Sequence, residues 1–143
     1  MVMEVNGYTI ARSTNLTGAN LRGAHLVKTD LVKTDLIDAN LTGAFLSGAN
    51  LMNANLESAD LTGADLQNAK ATGANLQNTK VTGANLTNAN LESADLRGAY
   101  LRGANLTNVN LGSAKMFRAI LTGSDFSGAI LTGAIMPDGS IHD

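Results

Sequence analysis

The sequence predicts an all-β solenoid, a chain wound into stacked coils around a continuous apolar interior. Three observations carry that prediction. A five-residue register runs unbroken from Leu16 to Met136, and Leu fills twenty of its twenty-five central positions. The residue two places before each central position is Ala in nineteen of the twenty-five. Two places after it, Gly or Asn occupies seventeen of twenty-four sites, with Gly18, Gly23, Asn53 and Gly63 as examples. A fixed period over most of a chain decides its architecture before local propensity does.

The period excludes a continuous helix, which wants apolar residues at 3.6 spacing, and a plain strand, which wants strict alternation. Within one unit, such as Ala54-Asn55-Leu56, the two apolar residues are two apart, the spacing of one strand face. The two residues after Leu then form a corner. Gly and Asn tolerate the positive φ that a type II turn demands at its third position. Each unit therefore reads as a three-residue edge with two inward side chains and a tight turn. Corners at Lys28, Lys33, Asp38, Ser58, Ser93, Ser113 and Arg118 carry neither Gly nor Asn, and most of them are expected to avoid that turn.

Taken in order, residues 1–13 precede the array. Val5-Asn6-Gly7-Tyr8 sets Asn-Gly between β-favouring residues, a hairpin signal, and Thr9-Ile10 continues the extended run. A repeat stack needs its terminal coil covered, so this segment is expected to be an N-terminal cap. Residues 14–136 form the array. Ala71 stands where Leu51 and Leu91 stand twenty residues away, and should leave a small void or a local inward shift of the chain. Thr29, Thr34, Thr79 and Ser124 replace the inward Ala, and their hydroxyls should bond nearby carbonyls. Leu56, Leu61, Leu76, Leu86 and Leu96 should be buried, with Asn55, Asp60, Asn75 and Asn85 outward. Residues 137–143 form a terminal turn and tail, opened by the only proline, Pro137, which cannot donate to a further ladder. Ile141 could fold back onto the last coil.

Units such as Ala-Asn-Leu-Thr-Gly at 39–43 and Ala-Asp-Leu-Thr-Gly at 59–63 resemble the pentapeptide-repeat family, whose consensus is Ala-(Asp/Asn)-Leu-x-x. The likeness covers about six-sevenths of the chain. It implies a right-handed quadrilateral β-helix with four pentads to a coil, hence about six coils here. At ~4.8 Å between stacked strands the rod would be roughly 29 Å long.

Composition narrows the function classes. The 143 residues carry ten basic and twelve acidic side chains, a formal net charge of −2, which weakens any case for a polyanionic partner. There is no cysteine, hence no disulfide frame and no thiolate site. The first residues lack a basic n-region and an apolar h-region, and no stretch approaches the ~20 apolar residues of a membrane helix. A soluble cytoplasmic protein is expected, without direct nucleic-acid or membrane binding. His25 and His142 lie far apart and have no partners at metal-ligand spacing. Asp30 and Asp35, five apart, fall on adjacent faces. The glycines recur as corners, outside any phosphate-binding pattern. No catalytic group, cofactor or metal site is expected.

The outward positions carry what functional signal there is. Most are Asn, Asp, Thr, Ser, Gln or charged. Val27, Val32, Ile37, Phe45 and Met52 break that pattern early in the array, and are expected to form a protein-contact patch rimmed by His25, Lys28 and Lys33. Tyr100, Phe117, Ile120, Ile130 and Ile135 form a second candidate patch near the end. The leading reading is a non-enzymatic scaffold that offers flat β-helix faces to an unknown protein partner, as a monomer or an end-to-end homodimer. The alternative, drawn from the resemblance, is a DNA mimic that binds a type II topoisomerase; Lys and Arg residues dilute the negative surface it needs.

Overall fold

A computed structural model describes residues 3–143; Met1 and Val2, with which the expected cap begins, lie outside the described residues. Strands β1 (Met3–Val5) and β2 (Tyr8–Ile10) pair antiparallel, with Met3 opposite Ile10 and Val5 opposite Tyr8. Asn6 and Gly7 both take positive φ, 51° and 83°, which is what a two-residue hairpin turn requires.

Beyond the hairpin, each middle residue of a pentad pairs in parallel with the residue twenty further on, from Asn15 with Asp35 to Lys115 with Ile135. Successive rungs are therefore four pentads apart. The backbone accounting is nearly complete within each unit. Leu36 N–H donates to Asn55 O at 2.7 Å and Asp38 N–H to Glu57 O at 3.0 Å, both on the next coil. Ala39 N–H closes the turn onto Leu36 O at 3.0 Å, and Asn40 N–H donates down to Ala19 O at 2.9 Å. Four of five N–H groups per pentad are thus met by backbone oxygens, as a buried ladder requires.

All twenty-four corners have positive φ at the third turn residue. This overturns the expectation for Lys28, Lys33, Asp38, Ser58, Ser93, Ser113 and Arg118, whose φ runs from 55° to 63°. The left-handed region costs a non-glycine residue roughly 1–2 kcal/mol. The ladder outweighs that cost, because the N–H of the same residue is a rung: Lys28 donates to Ser47 O at 2.9 Å and Arg118 to Pro137 O at 3.0 Å. A different turn would lose that bond and rotate the following inward residue out of the core. Ser13 shares the geometry, with φ 57° and an N–H bond to Val32 O at 2.9 Å, so a corner already lies inside the segment expected to precede the array.

The interior holds the predicted Leu and Ala columns. Leu56, Leu61, Leu76, Leu86 and Leu96 are buried, while Asn55, Asp60, Asn75 and Asn85 are half-buried at the surface. Thr79 donates to Leu76 O at 2.7 Å, Thr34 to Ala11 O at 3.2 Å, and Ser124 to Leu121 O. Thr29 differs: its hydroxyl faces the Met3 thioether at 3.7 Å. An apolar void of about 10 Å³ lies beside Ala71, lined also by Leu51, Leu76 and Leu91. With no polar group on its walls it stays dry.

The two ends differ. The first coil is sealed: Leu16, Leu21, Leu26 and Leu31 are buried, with Ile10 fully buried and Met3, Val5 and Tyr8 packed against the core. Tyr8 Oη accepts from Asn20 N–H at 3.2 Å, and Asn6 Nδ2 donates to Asn20 O at 3.2 Å. In the last coil Leu121, Phe126, Ala129, Leu131 and Met136 are only partly buried. The tail closes one side of it. Ile141 folds back and pairs antiparallel with Ile135; Gly133 N–H donates to His142 O and His142 N–H donates to Ala134 O, at 2.8 Å each.

Candidate functional site

The fifth N–H of each pentad, at the first corner residue, has no rung to join. Its partner is a side chain. Every Asn or Asp at the sixteen middle positions that carry one accepts from the N–H two residues later, at 2.9–3.3 Å. The middle carboxamide or carboxylate is therefore a turn cap, the self-folding Asx geometry of short polar side chains. Asn75 also donates to Asn55 Oδ1 at 3.2 Å, one rung below.

The caps leave an electrostatic trace. Burial pushes the Asp60 carboxyl up, but hydrogen bonds from Thr62 and the charges of Lys80 and Arg22 outweigh it and hold the group below its ordinary value. Asp95 behaves alike: burial raises it, and the bonds and charge of Arg97, at 2.6 Å, with Lys115 beyond, lower it overall. Asp125 is lowered by its side-chain and backbone bonds to Ser127.

Nine middle positions lack this cap because they hold another residue: His25, Phe45, Lys70, Lys80, Tyr100, Lys115, Ile120, Ile130 and Ile135. At eight of these sites the chain forgoes a turn hydrogen bond worth about 0.5–1.5 kcal/mol; after Ile135 the second residue is Pro137, which has no N–H to cap. Several are among the sequence-predicted contact residues, and the cap pattern is a signal for them that hydrophobicity alone did not give.

The early candidates do not all reach the surface. Phe45 is 43% exposed, and Val27 and Met52 are exposed too. Val32 is buried, only 8% exposed, which corrects its assignment to the patch; it sits in a corner column with Arg12 and Met52 on the rungs either side. Ile37 is half-buried. His25 pairs with Phe45 across one rung, and their rings stack at 4.9 Å with planes 9° apart. Lys28 and Lys33 are exposed.

The later candidates are spread around the rod. Tyr100 and Ile120 are adjacent rungs of one column and both exposed. Phe117 lies at a corner with the Arg118 guanidinium 5.2 Å from its ring centre, while Ile130 stands above Asn110 in another column. Ile135 is half-buried and paired by Ile141. Among the described residues no three His, Asp or Glu side chains gather as a metal-ligand set, and no helix is long and apolar enough to cross a membrane.

The family model described as pentapeptide repeats matches residues 14–51, 49–88, 84–123 and 117–138. Solved structures agree. A pentapeptide repeat protein from Nostoc PCC 7120 is 38% identical over 64% of this chain and 83% of its own, with a TM-score of 0.56. One from the Arabidopsis thaliana thylakoid lumen is 34% identical over 73% of this chain and 69% of its own, with a TM-score of 0.52. HetL, a Nostoc pentapeptide repeat protein involved in heterocyst differentiation regulation, is 30% identical over 92% of this chain and 81% of its own, at a TM-score of 0.48. No curated protein sequence matches the chain.

Proposed function

Because the chain belongs to the pentapeptide-repeat family, we propose that it is a non-enzymatic, cytoplasmic scaffold whose flat faces bind another protein. The rod on this reading is a right-handed, four-sided β-helix of about six coils. Its backbone is fixed by the twenty-residue ladder, so outward side chains vary without cost to the core. The observation that carries the reading is the exposed group Val27, Phe45 and Met52, with the His25–Phe45 stack held flat beside it. Exposed apolar groups of this kind on a rigid surface mark contact sites.

The test is a comparison of baits. Phe45→Ala with Met52→Ala should leave the fold intact, because neither side chain enters the core, and should weaken the partner by about 1–3 kcal/mol if either is a hot spot. Wild type should retain a protein from the source organism's extract that the double variant loses. The same proteins recovered in equal amounts on a folded double variant would remove this patch. Two rods also associate end to end on this reading, through the half-exposed Leu121, Phe126 and Leu131. Sedimentation velocity over a range of concentrations tests this: a species of twice the chain mass should grow with concentration and vanish in Leu131→Lys.

A further inference from the structure

Three of the nine uncapped middle positions stack directly. Up one column run Asn20, Asn40, Asp60, Lys80, Tyr100 and Ile120, joined rung to rung by backbone pairs. The first three cap the N–H groups of Arg22, Thr42 and Thr62. The last three cannot, and among the described residues the N–H groups of Thr82, Arg102 and Thr122 have no acceptor. On the next face, at the same height, Asn85, Asn105 and Asp125 take the corresponding N–H groups of Thr87, Thr107 and Ser127. A run of three is found in this column alone; His25 with Phe45 and Lys115 with Ile135 are uncapped pairs on other faces, and Lys70 and Ile130 stand singly above capped rungs.

That face carries an open groove of about 400 Å³ lined by Lys80, Thr82, Tyr100, Arg102 and Ile120. Tyr100 is 45% and Ile120 37% exposed. Neither Lys80 nor Arg102 forms an ion pair among the described residues; Asp60, one rung below Lys80, is the nearest acid in the column. The groove thus offers two cations and a row of backbone donors, all seeking anionic oxygen, beside an aromatic ring and an aliphatic side chain seeking an apolar one. Rungs about 4.8 Å apart place those donors in line along the rod.

We propose that this groove docks an acidic segment of a partner protein, with carboxylates toward Lys80, Arg102 and the free N–H groups and an apolar side chain against Tyr100 and Ile120. The charge and donor pattern select the acid, and the apolar pair selects a peptide over a nucleic-acid backbone, which would want a longer basic track. The proposal rests on the protein-scaffold reading and names the partner chemistry at a second face.

The variant Lys80→Asn, Tyr100→Asn, Ile120→Asn puts back the residue that caps the turn elsewhere. It removes the groove and should melt at or above the wild-type temperature. A fluorescein-labelled decapeptide alternating Glu and Leu serves as probe, with a Lys–Leu decapeptide and a labelled dT10 oligonucleotide as controls. The acidic peptide should bind wild type in a salt-sensitive way and bind the triple variant at least tenfold more weakly. Failure to bind wild type, equal binding to the triple variant, or equal or tighter binding of either control overturns the groove. Binding lost in the Phe45→Ala, Met52→Ala variant and kept in the triple variant also overturns it, while leaving the scaffold reading in place.

Discussion

The first and last coils are written in the same repeat and end differently. At the start, Leu16, Leu21, Leu26 and Leu31 are sealed under a hairpin whose Ile10 is 1% exposed. At the finish, Leu121, Phe126 and Leu131 hold the same places in the pentad and remain half-buried. The backbone repeats the contrast. Asn20 has both its N–H and its carbonyl met by hairpin side chains, whereas the N–H groups of Leu121, Phe126 and Leu131 have no acceptor among the described residues. Burial in a solenoid is therefore a property of the neighbour above or below, and a residue's own pentad position does not fix it.

The largest expected effect tests that contrast directly. Ile10→Ala should cost about 2–4 kcal/mol, since it opens a cavity over a sealed coil. Leu131→Ala should cost only about 1–2 kcal/mol, because part of its surface is already in water. Urea denaturation of dilute protein measures both, and equal losses would mean the two ends are equally covered. Ala71→Leu comes next and sharpens the comparison from the middle, where both neighbours are present. It adds three carbons where the void holds only about 10 Å³, so the neighbours must shift and the change should cost about 1–3 kcal/mol; a gain would show that the coils on either side yield readily.

A smaller pair matches the ends at constant geometry. Lys28→Gly in the first coil and Arg118→Gly near the last relieve the same left-handed φ, 55° and 63°. Each should gain about 0.5–1 kcal/mol. Unequal gains would show that the covered and open coils hold their corners with different force. The smallest effect is acid sensitivity. The carboxyls of Asp60, Asp95 and Asp125 titrate below their unfolded values, so their stabilisation is present above the ordinary carboxylate range and is lost as pH falls through the lowered folded values. Melting temperature should fall on acidification, and Asp60→Asn, which keeps the cap without the titrating group, should flatten part of that fall.

Much of the frame was legible in the sequence because it is set by neighbours five residues apart or fewer. The Ala–Leu spacing placed the core, and Asn6-Gly7 placed the hairpin. Three features were not legible in this way. The strained corners at Lys28 and Lys33 follow from bonds to residues nineteen away, which override local preference. Val32 is buried by what stands on adjacent rungs. The middle Asn and Asp residues were read as surface, but pointing outward does not reveal that a side-chain oxygen turns back to the N–H two residues on. Stacking the chain by twenty sets Ile120 over Tyr100, and following that line down adds Lys80; an unmet N–H accompanies nearly every uncapped middle residue, so what separates these three is that they succeed one another in a single column.

The twenty-residue ladder also sets what length changes this chain can absorb. One added residue shifts every later side chain relative to the rung below and sends Leu where a corner should be. Five removed residues leave Ala over Ala and Leu over Leu, so the interior closes as before. All that follows is nevertheless carried a quarter turn around the rod, and Tyr100 and Ile120 arrive on a different side from Asp60. Only a loss of twenty returns each face to its own line. Surfaces on such a rod can be redealt in whole pentads while the core registers no change.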